Sequence, residues 1–210
     1  MQTSYEDLVL RTSKGSPISD YEIDEALSSK DFYLQWVGAK AAGLSENPKW
    51  INKLEKLAVA SLGHREPDLN TIAVWAIAKM PKDLATILYK DWADSERMES
   101  RRAAADLIGE ARLPEGANTL ASLLDDREDE VAKWAALSLA KLGEISAKTL
   151  ERVAQNTDRF TTLVYCLDAL VKLLRHELAE VIIDARKPDF DQVTDGLLGE
   201  LRKQNSEILG

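Results

Sequence analysis

Apolar residues recur along this chain with the spacing of one helix face, and the pattern returns about every thirty residues. Taking Val131 as position zero of one such helix, equivalent zeros fall at Tyr33, Leu69, Ser100, Phe160 and Phe190. Four residues on stand Val37, Ala73, Ala104, Ala135, Val164 and Thr194. Position +8 holds Ala41, Ile77, Ile108, Leu139, Asp168 and Leu198, and position +11 holds Leu44, Met80, Ala111, Leu142, Val171 and Leu201. Offsets 0, 4, 8 and 11 lie on one side of a 3.6-residue helix, so they predict a single buried stripe with Asp168 as its polar exception. Position +3 holds Trp36, Ile72, Ala103, Trp134, Leu163 and Val193, which assigns Trp134 to the core.

Position +9 is Ala or Gly in all six helices: Ala42, Ala78, Gly109, Ala140, Ala169 and Gly199, at spacings of 36, 31, 31, 29 and 30 residues. Alanine favours any helix, but glycine does not, so its presence here predicts that a neighbouring backbone approaches this second side. Shorter amphipathic segments alternate with these helices: Ser19–Ser28, Pro48–Leu62, Lys82–Ala93, Glu115–Leu124, Ser146–Asn156 and Glu177–Ala185. Pro48, Pro81 and Pro114 fall at or just before a first helical turn, where a missing N–H costs nothing. Asn47–Pro48, Leu113–Pro114, Gly143 and Lys187–Pro188 punctuate the turns. No segment sustains the alternation of a strand. The chain is therefore expected to be all-α, about six stacked helix–turn–helix units.

VAKWAALSLAKLG at 131–143 resembles the second helix of a HEAT or HEAT-like repeat, and SRRAAADLIGEA at 100–111 is similar. The resemblance covers roughly 19–205. It divides the chain into an N-terminal cap, 1–18, with a short helix near Tyr5–Leu10, and one repeat domain, 19–210. The units run approximately 19–46, 47–81, 82–113, 114–144, 145–175 and 176–210. The resemblance implies a right-handed α-solenoid whose second helices line a concave side.

Positions +2 and +6 point away from the buried stripe, so that side is expected to carry Gln35, Thr71, Trp75, Arg102, Asp106 and Lys133. Tryptophan beside arginine and aspartate is a composition that anchors partners. Acids precede each second helix. One per turn suits a helix N-terminus, where negative charge contributes roughly 0.3–1 kcal/mol. Five acids in the six residues 125–130 exceed that need. Asp94, Glu96, Asp125, Asp126, Glu128, Asp129 and Glu130 thus form a candidate acidic ridge.

Charge and chemistry narrow the function. The net charge of −9 disfavours a general grip on phosphate backbones and suits a basic protein partner. No apolar run is long enough to span a bilayer, and the first fifteen residues lack the apolar core of a secretory signal. Cys166 is the single cysteine; it excludes an intrachain disulfide framework and fits a cytoplasmic setting, and its apolar surroundings predict a buried thiol. His64 and His176 are too far apart in sequence to announce a metal site, and neither a phosphate loop nor a catalytic triad appears. The expectation is a non-enzymatic protein-interaction module without cofactor or metal: a scaffold, or an immunity-type inhibitor that covers a basic partner. HEAT-like DNA glycosylases and HEAT-like bilin lyases are the enzymatic alternatives that the resemblance brings.

Overall fold

Ser19 starts a helix because its hydroxyl accepts from the Glu22 N–H while the Glu22 carboxylate accepts from the Ser19 N–H, a reciprocal capping box. Asp31 starts the next helix by accepting from the Leu34 N–H at 3.0 Å. The computed structural model describes residues 5–60, 67–173 and 175–186 with single positions 199 and 203.

Among the described residues there are twelve α-helices and no strand. They fall into two compact units, residues 1–111 and 112–210. Unit 1 contains α1 (Tyr5–Ser13), α2 (Asp20–Leu27), α3 (Phe32–Ser45), α4 (Ile51–Ala58), α5 (Pro67–Ala78), α6 (Lys82–Ala93) and α7 (Met98–Glu110). Helices α2 and α3, α4 and α5, and α6 and α7 pack as pairs, while α3 packs on α5 and α5 on α7. Unit 2 contains α8 (Ala117–Leu123), α9 (Asp129–Leu142), α10 (Glu144–Asn156), α11 (Phe160–Lys172) and α12 (His176–Arg186). There α8 pairs with α9 and α10 with α11; α9 packs on α11, and α12 on both α10 and α11. Pro48 and Pro114 open short 3₁₀ turns leading into α4 and α8, and Pro81 caps α6. The Phe190 helix of the sequence pattern lies outside the described residues apart from position 199, as do the Lys187–Pro188 turn and His64.

The predicted stripe is buried over most of its length. Leu69, Ala73, Ile77 and Met80 on α5 are buried, as are Ser100, Ala104, Ile108 and Ala111 along α7 and Val131, Ala135 and Leu139 on α9. Helix α3 departs from it: Tyr33 is 61% and Leu44 54% exposed. Tyr33 opens onto a groove shared with α5, described below. Asp168 sits at the edge of the stripe and pairs with Lys172 one turn on, at 2.6 Å. The small column is buried at Ala42, Gly109 and Ala169, half-buried at Ala78 and Ala140, and exposed at Gly199. Close approaches occur also at +5 and +10 of α3. A Cβ on Gly38 would stand 2.9 Å from Ala26 Cβ, and one on Gly43 would stand 2.8 Å from Ala76 Cα.

Polar side chains from neighbouring helices donate to carbonyls at the C-terminal ends of outer helices. Asn70 Nδ2 donates to the carbonyls of Leu57, Ala58 and Ala60 at 2.6, 3.2 and 3.2 Å. Arg97 donates to Val59 O at 2.9 Å. In unit 2, Thr162 Oγ1 donates to Leu124 O at 3.0 Å and Arg159 to Asp126 O. Arg186 on α12 donates to the carbonyls of Ala154, Gln155 and Thr157.

Candidate functional site

Helices α3 and α5 approach closely because Gly43 has no side chain. The rim of the Trp75 ring occupies the space a Cβ would need, with Cζ3 2.7 Å from that position. Trp75 is thereby held half-buried beside α3, and Trp36 is half-buried on α3 itself. Phe32 and Tyr33 stack edge to face, centroids 5.3 Å apart at 79°. These four aromatic residues, with Lys40, Thr71, Ile72 and Glu110, line a groove of about 570 Å³. That volume lies in the range of small ligand pockets and can seat one or two large side chains of a partner.

The groove walls are apolar, and each of its two tryptophans has a lysine over its ring. Lys40 Nζ lies 5.4 Å from the Trp36 ring centroid and Lys79 Nζ 5.4 Å from that of Trp75. Each lysine follows its tryptophan by four residues, one helical turn, so the sequence itself places ammonium over indole. Neither lysine forms an ion pair with a described residue, and neither indole N–H donates to one.

Of the residues expected on the concave side, Thr71 and Trp75 line this groove. Gln35 and Arg102 are half-buried on α3 and α7 and do not line it. Asp106 is a correction: at 4% exposure it belongs to the interior of unit 1, not to an open face. The reason is that α7 is covered on more sides than one stripe implies, with every residue from Ala103 to Gly109 buried. Lys133 is exposed on α9 in unit 2 and stands 4.0 Å from Glu130. At the same +2 position of α11, Thr162 is fully buried. Trp134 is a second correction. It is half-exposed, not core; its Nε1 donates to Glu130 Oε1 at 2.9 Å, and Lys141 Nζ lies 5.8 Å from the ring centroid. Sequence reasoning missed Phe32, Tyr33, Trp36, Lys40, Ile72 and Glu110; the two Trp–Lys pairs one turn apart were the available signal.

Asp126, Asp129 and Glu130 of the expected ridge are engaged within the fold. Asp126 Oδ1 accepts from the Glu128 N–H at 2.9 Å. Asp129 Oδ1 accepts from Arg159 at 2.5 Å and from Thr161 at 3.0 Å, tying the start of α9 to the start of α11. Glu128 lies 4.0 Å from Arg127. Asp94 is the C-cap residue of α6, and the Glu96 carbonyl accepts from Arg101 at 2.9 Å. Asp125 lines a separate polar hollow with Arg152, Asn118 and Asn156. Side-chain capping by an acid, expected before each inner helix, occurs at Asp31; α7, α9 and α11 begin after Arg97, Glu128 and Arg159 without a side-chain cap bond.

Cys166 is fully buried on α11, and burial, reinforced by the charge of Asp125, pushes its thiol up to about 12. Such a thiol is not a nucleophile at neutral pH. No group of three or more His, Cys, Asp or Glu residues is placed to hold a metal among the described residues, and no helix there is long and apolar enough to cross a membrane. No protein-family model matches the chain, and a search of curated proteins finds no significant match.

Proposed function

We propose that the chain is a non-enzymatic protein-interaction module built from HEAT-like helix pairs stacked as in a right-handed α-solenoid, and that the aromatic groove of α3 and α5 is its docking site. The observation that carries this reading is the placement of Trp36 and Trp75. Both rings are half-exposed, fixed by the helices that bear them, and adjacent to an open apolar groove. Buried aromatic anchors of this kind supply most of the energy in protein interfaces, and rigid ones lose little entropy on binding. The groove supports binding through shape and apolar area. The acids at 125–130 support it less, because Asp126, Asp129 and Glu130 already serve the fold.

The reading is tested by immobilising the wild-type chain and the Trp75→Ala variant at equal density and comparing the proteins each retains from a cell extract. Circular dichroism establishes that the variant is folded. A partner held by the wild type and lost from the variant is the expected result. Identical retention by the two, at any salt concentration, overturns the assignment of the groove as the docking site.

A further inference from the structure

The geometry points to a short acidic, apolar segment of the partner protein as the occupant of the groove. This inference rests on the groove's being a protein-docking site. Two observations set the chemistry. The floor is apolar and aromatic, made by Phe32, Tyr33, Trp36, Ile72 and Trp75. The polar groups without a described partner are donors: the ammonium of Lys40 in the lining, that of Lys79 beside the Trp75 ring, and the indole N–H groups of Trp36 and Trp75. Glu110, the carboxylate in the lining, already has a partner.

An ammonium held over an indole face keeps most of its charge available on its outer side, since the ring contributes only about 0.5–1 kcal/mol at an exposed site. A partner carboxylate there gains a charge-assisted hydrogen bond at the edge of an apolar surface, where water screens it less than in the open. A basic segment meets two like charges and finds no unpaired acceptor. The complementary segment therefore carries a bulky apolar side chain for the space between Trp36 and Trp75, flanked by Asp or Glu.

The test is selection of random dodecapeptides displayed on phage against the full chain, followed by fluorescence anisotropy on the enriched peptides. The expected winners combine Trp, Phe or Leu with an excess of Asp and Glu. They should weaken by about thirtyfold on Trp75→Ala and by about three- to tenfold on Lys40→Gln/Lys79→Gln. The lysine variant should also lose most of the salt dependence. Both lysine side chains lie on the surface side of their helices, so that variant reads charge without disturbing the core. Winners that depend on Trp75 but are neutral or basic, or that ignore the lysine substitutions, overturn the acidic-segment inference and leave the groove as a docking site. Failure to enrich any peptide whose binding depends on Trp36 or Trp75 overturns both.

Discussion

Helices α3 and α9 are each fourteen residues long and carry tryptophan at the same repeat position, yet Trp36 and Trp134 have different surroundings. Trp36 leans on the Leu8–Ala26–Val37 cluster and lines an open groove with Trp75 of the next inner helix. Trp134 donates its N–H to Glu130 of its own helix and sits beneath Lys141. In α11, the inner helix that follows α9, the +3 and +6 positions hold Leu163 and Cys166, both fully buried. In α5, they hold Ile72 and Trp75, both half-buried. A repeat position thus ranks a residue on its own helix, but the adjacent helix decides whether that residue is interior or surface.

The comparison breaks most sharply at Gly43. Alanine there would place its Cβ 2.7 Å from Trp75 Cζ3 and 2.8 Å from the α5 backbone at Ala76. Since backbone cannot swing aside as a side-chain tip can, Gly43→Ala should cost about 3 kcal/mol by chemical denaturation and shift the Trp75 fluorescence. A cost below about 1 kcal/mol would show that the groove is not set by this contact.

The carbonyl-binding side chains separate the units next. Asn70→Leu removes the side-chain donor to the carbonyls of Leu57, Ala58 and Ala60 in unit 1 and should destabilise by about 2–3 kcal/mol. Thr162→Val strands one carbonyl, that of Leu124, in unit 2 and should cost about 1–2 kcal/mol. The second effect has an internal reporter. Cys166, raised to about 12 by burial, should react with a thiol reagent only when unit 2 opens. Thr162→Val should therefore speed its modification by about five- to thirtyfold, the factor by which 1–2 kcal/mol raises the opened population. Rapid labelling of the native wild-type chain would contradict the burial of that thiol.

The smallest effect concerns pH. In unit 1, Glu22 is held at about 2 by hydrogen bonds from Arg11 and from Ser19. A carboxylate lowered on folding stabilises the native state fully above its ordinary value near 4.5, and this contribution is lost as pH falls from there toward 2. The pair is partly exposed, so screening limits the change to about 1 kcal/mol. Glu22→Gln should lower stability at pH 7 and flatten the acid dependence between pH 5 and about 2, followed by thermal unfolding. An acid limb unchanged by the substitution would show that Glu22 does not contribute to it.

Most helix boundaries were legible in the sequence because they are local. Lys82–Ala93 forms a helix over the predicted span, and Ser19, Pro48, Pro81 and Pro114 start their elements for reasons written within four residues of each. The buried stripe was legible because helical periodicity is a property of one segment. The exposed Tyr33 and Leu44, the buried Asp106 and Thr162, and the half-exposed Trp134 were not. Each depends on whether a second helix, distant in sequence, covers that arc.

The sequence alone determined helices packed in pairs, the stripe buried along most inner helices, and that tryptophan and lysine recur one turn apart. Those follow from the 3.6-residue period and from capping, which act over a few residues. Only the tertiary structure decided that Trp36 and Trp75 share a groove, that Asp129 ties the start of α9 to that of α11, and that α7 is buried on several sides. Those depend on distances of closest approach between helices. Such distances are set by packing at single points, above all the missing side chain of Gly43, and no helical period records them.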